Sequence, residues 1–334
     1  AAFTICAIAA LYFAGGNVLV RDGEQTSQQK KAPVRFERIS TGDKDSTATA
    51  TAAAAEYNYT SYQMEMIALI DRLLQPSPLF AEYNHPGYSQ GLTMLNRKML
   101  WGLKRQVEHI VDAQVEGDIY ELGSWRGGAS IFMALVSTSY ERLKAGQRKQ
   151  QQQQQPQRHF WVFDSFEGFS ADRQFGNDTL LLGVLDGTYW KATMDKVRDA
   201  FISYTTPEFV ESRVHFVKGF FEDVVPEFCP PRPAALLRLD GDLYNSTLIA
   251  LRHLYPSVQR GGEVIVDDYE WNPLKWGKKL GIEESEADTS KRKICSHAVD
   301  EYREENNITT PITKEYVRPS WTKDGDVMLV CTER

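Results

Sequence analysis

Apolar residues recur along this chain with two alternating spacings. Apolar side chains three and four positions apart predict helices over residues 62–74, 92–111 and 127–143. Between and after these stretches lie short, mostly apolar runs, which predict buried strands over 118–122, 159–163, 214–217, 234–239 and 263–266. Strands that alternate with helices predict right-handed β-α-β units, and therefore a parallel sheet with helices on both faces.

The C-terminal segment has a different pattern. Apolar runs over 312–318 and 326–331 flank a turn at Lys323-Asp324-Gly325, which is typical of an antiparallel hairpin. Together with the five parallel strands, this hairpin predicts a mostly parallel α/β sheet of seven strands. Although 334 residues allow two domains, the single continuous pattern favours one domain over 61–334, with a helical cap before the first strand.

Three segments lie outside this pattern. Residues 1–20 carry no charge and are long enough to cross a bilayer, so we expect a single-pass membrane anchor or a targeting segment there. Basic residues from Arg21 to Arg38 favour a cytosolic location for the remainder of the chain; without an anchor, the chain is expected to be cytoplasmic. Residues 21–60 are polar and Ala/Thr-rich, which predicts a disordered tether. Consecutive glutamines predict an exposed loop over 147–158.

Composition and charge exclude several classes of protein. Charged residues make up 25% of the chain and hydrophobic residues 42%, which is ordinary for a globular protein. The net charge of −7 argues against a nucleic-acid partner, which would select a basic surface. The four cysteines form no C-x-x-C pair, which excludes a thiolate zinc site and a disulfide-stapled miniprotein.

Two turns that follow predicted strands contain glycine. In the segment 117–128, an acidic residue near the end of the predicted strand is followed by a glycine, and a Gly-Gly pair then begins a helix. Such a turn lets a ligand approach the backbone closely, although a simple tight turn has the same sequence. The segment lacks the G-x-G-x-x-G fingerprint and a P-loop lysine, so phosphate binding is not favoured. Gly219 and Phe220 follow a later strand, where Phe220 is either one wall of a purine slot or a core residue.

Acidic residues follow three of the predicted strands. Asp164 is placed to accept hydrogen bonds from ribose hydroxyls, or else to cap a helix. Asp240 and Asp242 follow one strand and Asp267 and Asp268 the next, at the sheet edge where open α/β sheets bind ligands. Crowded carboxylates need a cation, and oxygen ligands without histidine or cysteine indicate Mg²⁺. The alternative is that some of them cap helices, with Asp242 the strongest candidate.

Five sequence blocks in a fixed order resemble the macrocin O-methyltransferase family, and the resemblance extends from about Gly91 to the C-terminus. The blocks are 121–128 (ELGSWRGG), 163–169 (FDSFEGF), 239–247 (LDGDLYNST), 266–269 (VDDY) and 298–303 (AVDEYR). The resemblance implies a Rossmann-like class I methyltransferase sheet and transfer of a methyl group from S-adenosylmethionine. It also implies a small-molecule or glycan hydroxyl acceptor, mostly a sugar, and it is compatible with a homo-oligomer.

The resemblance also implies residue roles. Asp240, Asp267 and Asp268 match the Mg²⁺ ligands, and Asp240 is also the suggested general base. Independently of the resemblance, the Gly/Asp-bearing stretch 170–196 between strands and the insert 271–293 are expected to supply lid residues. The expected cofactor-binding residues are Thr93, Met94, Glu121, Gly123, Ser124, Trp125, Gly127, Gly128, Asp164, Ser165, Phe166, Gly219, Phe220 and Asp240.

Two other classes of protein compete with this interpretation. A glycosyltransferase could use Asp240-Gly241-Asp242 to hold Mn²⁺ and a nucleotide sugar. A catalytically inactive adaptor protein could have the same fold without the enzymatic activity. The glycine turn and Asp164 favour an adenosyl ligand over the first alternative. The acidic cluster opposes the second, because buried carboxylates without a function only reduce stability.

Overall fold

A computed structural model describes residues 57–84, 89–147, 157–169, 190–269, 294–314 and 319–324. The predictions for the N-terminal 56 residues, the consecutive glutamines and the hairpin arm at 326–331 lie outside these ranges, as do the lid segments 170–189 and 271–293. Within the described ranges, every helix is too short or too polar to span a bilayer.

The described residues form a sheet of six strands. The strands are β1 (Asp118–Leu122), β2 (Phe160–Asp164), β3 (Val214–Lys218), β4 (Ala234–Leu239), β5 (Val258–Val266) and β6 (Ser320–Thr322). Their order is β3-β2-β1-β4-β5-β6, and β6 alone among them pairs antiparallel to its neighbour. The predicted mostly parallel α/β sheet is confirmed, with six strands described instead of seven.

Eight α-helices surround the sheet in the described part of the chain. They are α1 (Tyr59–Leu74), α2 (Arg97–Asp112), α3 (Gly128–Gln147), α4 (Met194–Tyr204), α5 (Pro207–Arg213), α6 (Phe221–Val224), α7 (Tyr244–Leu254) and α8 (Cys295–Glu305). Short 3₁₀ helices occur at Pro78–Tyr83 and Tyr255–Ser257. Helices α1 to α5 pack on one face of the sheet, and α6, α7 and α8 pack on the other.

Successive residues of each strand point to opposite faces of the sheet. In β1, Ile119 packs in the core beneath α1 to α5, whereas Tyr120 packs in the core beneath α7 and α8. By the same alternation Glu121 lies on the Ile119 face. In β4, Leu236 belongs to that same core, which places Arg238 beside Glu121, its partner in the strand register. Two ionisable side chains therefore lie on one sheet face near its C-terminal edge.

Two predicted elements begin later than expected. The helix predicted from residue 92 begins at Arg97, because the side chain of Asn96 accepts a hydrogen bond from Met99 N and caps it. The hairpin strand predicted over 312–318 contributes, in its described part, an isolated bridge between Thr313 and Ser320. The strand that pairs with β5 is instead centred on Trp321, whose buried ring packs near the Tyr255 ring.

Candidate active site

A cavity lies at the C-terminal ends of the parallel strands, where open sheets bind ligands. Its wall comes from the turns after β1 to β5 and from residues 92–95, which precede α2 and which we call the strap. Most of the predicted site residues line this cavity: Thr93, Met94, Gly123, Ser124, Trp125, Asp164, Ser165, Gly219, Phe220, Asp240, Asp267 and Asp268.

The remaining predicted cofactor residues lie behind the cavity wall: Glu121, Gly127, Gly128 and Phe166. Phe166 is buried and packs edge-on against Phe216, with 6.1 Å between the ring centroids. Gly128 donates its backbone N–H to the carbonyl of Leu92 at 3.0 Å. These residues support the wall and do not form it.

The turn after β1 requires glycine at its first position. Gly123 has a φ of +91°, and a Cβ on it would lie 1.8 Å from the carbonyl oxygen of Asp240. The backbones of β1 and β4 therefore approach so closely here that no side chain fits. This contact brings the turn after β1 and the carboxylates after β4 to one cavity.

One carboxylate joins the turn after β1 to the end of β2. Asp164 Oδ2 accepts hydrogen bonds from the backbone N–H groups of Ser124 at 2.8 Å and Trp125 at 3.0 Å, and Oδ1 accepts one from Phe166 at 2.8 Å. Burial raises the pKa of Asp164, while these N–H groups oppose that change. Residues 165–169 form a bend and not a helix, so the helix-cap alternative is wrong. Ser124 Oγ also donates to Oδ2 at 3.3 Å, whereas Oδ1 accepts one hydrogen bond from the described residues, so Oδ1 retains an acceptor position for a ligand hydroxyl.

A buried arginine lies at the centre of the acidic cluster. Arg238 is 1% exposed, and its guanidinium forms ion pairs with Glu121, Asp240 and Asp267. The distance from Nη2 to Asp240 Oδ2 is 2.8 Å. Three carboxylates from β1, from the end of β4 and from the end of β5 thus share one cation, and the planar guanidinium fixes their relative positions.

The cluster changes the ionisation of its members. Burial raises the pKa of Glu121 to about 8, although the charge of Arg238 opposes the rise. Burial raises the pKa of Asp242 to about 8, and the negative charges of Asp240 and Asp267 add to this effect. Burial alone would lower the pKa of Arg238, but the surrounding carboxylates raise it well above its ordinary value, so it stays charged.

Asp242 does not cap the helix that follows it. Helix α7 begins at Tyr244 with Leu243 at the N-cap, and no side chain caps it. Asp242 lies one residue too early, with a left-handed φ of +59°, and it lines the cavity instead. The interpretation of Asp242 as a helix cap is therefore wrong.

The donor chemistry of the cluster fits a hard divalent cation. Asp240, Asp267 and Asp268 line one cavity and offer only carboxylate oxygens, the ligands that Mg²⁺ prefers. As the side chains stand, however, the described residues include no group of three or more acidic, histidine or cysteine side chains close enough to hold a metal ion. The partner that Asp240 and Asp267 share is Arg238. A bound ion would share Asp240 and Asp267 with this guanidinium.

Sequence reasoning missed Arg238 and Phe169 as wall residues, and it included Trp190 only within the expected lid segment 170–196. Arg238 stands between leucines in an apolar run, and a charge within a buried strand was the available signal. Phe169 and Trp190 also line the cavity and pack edge to face, with 6.0 Å between their ring centroids. Their contact joins residues that are far apart in sequence, and no local pattern predicts it.

The fold and the site define a class. A parallel sheet in the order 3-2-1-4-5 with an antiparallel strand at its edge, a glycine turn after β1 and an acidic residue at the end of β2 are the features of a class I S-adenosylmethionine-dependent methyltransferase. The solved structure of the O-methyltransferase NovP has the same fold. Its TM-score to this chain is 0.58 at 27% sequence identity, and the match covers 79% of this chain and 100% of that one.

The chain belongs to the macrocin O-methyltransferase (TylF) family, whose model matches residues 81–275. A demethyldecarbamoylnovobiocin O-methyltransferase from Streptomyces niveus is 32% identical over 218 residues, which is 65% of this chain and 69% of the relative. A tetracenomycin 4'-O-methyltransferase from Streptomyces olivaceus is 32% identical over 225 residues, or 66% of this chain and 71% of the relative. The chain is therefore an O-methyltransferase, and these findings favour methyl transfer over the glycosyltransferase and adaptor alternatives.

Proposed function

We propose that this enzyme transfers the methyl group of S-adenosylmethionine to a hydroxyl of a sugar on a small molecule. The observation that carries the proposal is a single cavity lined both by the glycine turn with Phe220 and by the carboxylates Asp240, Asp242 and Asp267. The relatives support the acceptor class, because one of them acts on a rhamnosyl derivative of tetracenomycin C.

The glycine turn and its partners would bind the cofactor. Ser124 and Trp125 present backbone at the cavity wall, and Asp164 holds that backbone in place while facing the cavity itself. We assign the ribose hydroxyls to Asp164 and the adenine to Phe220 and its neighbour Gly219. Alignment of the acceptor oxygen with the methyl group can contribute about 7–11 kcal/mol of barrier lowering, so this rigidity serves catalysis directly.

Two carboxylates are candidates for the proton acceptor. Asp240 is the residue implied by the family resemblance, but its Oδ2 already accepts a hydrogen bond from Arg238. Asp242 lines the same cavity, is partly exposed, lies near the like charges of Asp240 and Asp267, and forms no ion pair with a described arginine or lysine. Because it has no cationic partner there, Asp242 is the stronger candidate of the two.

Asp240, Asp267 and Asp268 are the residues that would hold Mg²⁺. The ion, when bound, supplies a positive charge that favours the ionised form of a hydroxyl beside it. The positions of Asp240 and Asp267 are set by Arg238 and by the backbone N–H of Asp267, which donates to the carbonyl of Leu239 at 2.9 Å.

The test uses a matched pair of acceptors, an aglycone and its rhamnoside, with S-adenosylmethionine carrying a labelled methyl group. We expect label in the rhamnoside only, with a mass gain of one methyl group. Label in both acceptors, or in the aglycone alone, would overturn the sugar as acceptor.

The proton acceptor is tested with Asp240→Asn and Asp242→Asn. The variant that removes the base is expected to lose turnover by about 10²- to 10⁴-fold while still binding S-adenosylhomocysteine. If Asp242→Asn retains wild-type turnover, Asp242 is not the base.

A further inference from the structure

Arg126 lies in the glycine turn, and its side chain donates hydrogen bonds to a segment that is distant in the sequence. Its side chain is fully buried, at 0% exposure. Its guanidinium donates hydrogen bonds to Asn84 Oδ1 at 3.1 Å, to the carbonyl of Gly91 at 3.2 Å and to the carbonyl of Tyr83 at 3.2 Å. These acceptors belong to the segment that leads from the first 3₁₀ helix into the strap.

The strap also contacts the end of this turn through backbone atoms. Leu92 accepts a hydrogen bond from the backbone N–H of Gly128, and Leu92 N in turn donates to the carbonyl of Leu73 at 2.9 Å. A Cβ on Gly128 would lie 2.3 Å from the Leu92 carbonyl oxygen, so the strap and the start of α3 are in direct backbone contact. Beyond this contact, Thr93 and Met94 line the cavity.

Arg126 also contacts the aromatic side chains next to this junction. Its guanidinium carbon lies 4.3 Å from the centroid of the Trp125 ring and 5.2 Å from that of Phe80. Such cation–π contacts are attractive, and most strongly so when they are shielded from water. Trp125 is itself a cavity residue, so a single side chain joins one wall of the site to Gly91, the residue that immediately precedes the strap.

We propose that Arg126 is a positioning residue for the cofactor. It clamps the segment before α2 onto the glycine turn, and it thereby holds Thr93 and Met94 over the part of the cavity that binds S-adenosylmethionine. The inference rests on the proposed function, because it assigns the cofactor to this cavity.

Arg158 provides a matched control. It is likewise a buried arginine that donates to backbone carbonyls, those of Gly117 at 2.7 Å and Val115 at 2.6 Å. It also pairs with Glu141. Because Arg158 lies next to the N-terminal ends of β1 and β2, its loss disturbs the fold at the end of the sheet opposite the cavity. It separates a general loss of stability from a specific loss of cofactor positioning.

The experiment compares Arg126→Gln, Arg126→Lys and Arg158→Gln in the full chain. The readouts are melting temperature, calorimetric affinity for S-adenosylhomocysteine, and KM and kcat for S-adenosylmethionine. We expect Arg126→Gln to raise the KM and the dissociation constant at least tenfold, with kcat at saturating cofactor changed less than threefold. Arg126→Lys keeps the charge and should recover part of the affinity. Arg158→Gln should lower the melting temperature and leave KM unchanged.

Gly128→Ala is the second variant, and it keeps the test valid if Arg126→Gln does not fold. Alanine suits the first turn of α3, but its Cβ displaces the strap, so cofactor affinity should fall while the helix persists. Wild-type affinity in Arg126→Gln or in Gly128→Ala, or an equal rise of KM in Arg158→Gln, would overturn the positioning role. If the wild-type chain binds no S-adenosylhomocysteine, the proposed function fails, and the role of Arg126 fails with it.

Discussion

Arg238 donates a hydrogen bond to Asp240 at 2.8 Å, although the two residues lie only two positions apart at the end of one strand. Alternation along β4 places both on the same face of the sheet. Glu121 and Asp267 reach the same guanidinium from the neighbouring strands. The floor of the cavity is thus an ion-pair network, and its stability depends on the one buried cation that the acids share.

Arg238→Met should destabilise the enzyme strongly. The change leaves Glu121 and two aspartates close together without their cation, and breaking a buried ion pair by removing one partner costs about 3–5 kcal/mol. Urea denaturation followed by circular dichroism measures the loss. The double variant Arg238→Met with Asp267→Asn removes one of the orphaned charges and should regain part of it. Additive losses in the double variant would contradict the network.

Gly123→Ala should prevent folding or abolish cofactor binding. A Cβ here overlaps the Asp240 carbonyl oxygen, and the backbone φ of +91° is itself unfavourable for alanine. Gly261→Ala is the control, because Gly261 also has a positive φ, of +77°, but a Cβ there would have 3.6 Å to its nearest neighbour, Val115. The control should cost only about 1–2 kcal/mol, the usual penalty of left-handed backbone. Equal losses in the two variants would show that strain, and not the close approach of strands, explains Gly123.

Removal of divalent cations should abolish methyl transfer. Treatment with a chelator followed by dialysis is expected to reduce product formation to background, and added Mg²⁺ should restore it, because three carboxylates on one cavity wall favour a bound cation. Asp268→Asn should raise the Mg²⁺ concentration needed for half-maximal rate. An undiminished rate in the chelated enzyme would exclude Mg²⁺ dependence.

The contribution of His215 to stability should fall as the pH drops below about 6.5, in opposition to Glu121 and Asp242, whose raised pKa values favour the folded state at lower pH. Burial lowers the pKa of His215, and the nearby charge of His159 lowers it further. A histidine whose folded pKa is depressed binds its proton first in the unfolded chain, so its contribution to stability is complete above the unfolded pKa and is lost as the pH falls through that value. Denaturation at pH 7.5 and pH 5.5 measures the difference in unfolding free energy.

His215→Phe tests the same point. The His215 ring stacks on Trp161 at 4.2 Å between centroids, and phenylalanine preserves that stack without a proton site. Relative to the wild type, the change in unfolding free energy from pH 7.5 to pH 5.5 should be shifted in the stabilising direction in the variant. An equal change in the two proteins would show that the proton site of His215 does not contribute.

Most of the sheet could be predicted from sequence because its signals are local. The run 118–122 coincides with β1, and 234–239 coincides with β4. The acidic pairs could be placed at one sheet edge because parallel strands end together. Thr93 and Met94 of the strap could be placed at the cavity, but the strap was predicted to be helical, since its apolar residues continue the helical spacing and only the Asn96 cap interrupts it. The role of Arg238 could not be predicted, because it depends on carboxylates that only the tertiary structure brings close to this arginine.

The polar floor has a consequence for how this enzyme could acquire new acceptors. Glu121, Arg238 and Asp267 are nearly inaccessible to solvent. Their ion pairs join the C-terminal ends of neighbouring strands and also lie next to the cavity. Substitutions of these three residues would change acceptor specificity only at a cost in folding stability. Diversification of the acceptor is therefore expected to proceed through the rim, at positions such as Phe169 and Trp190, where a side chain can change shape without disturbing the strands beneath.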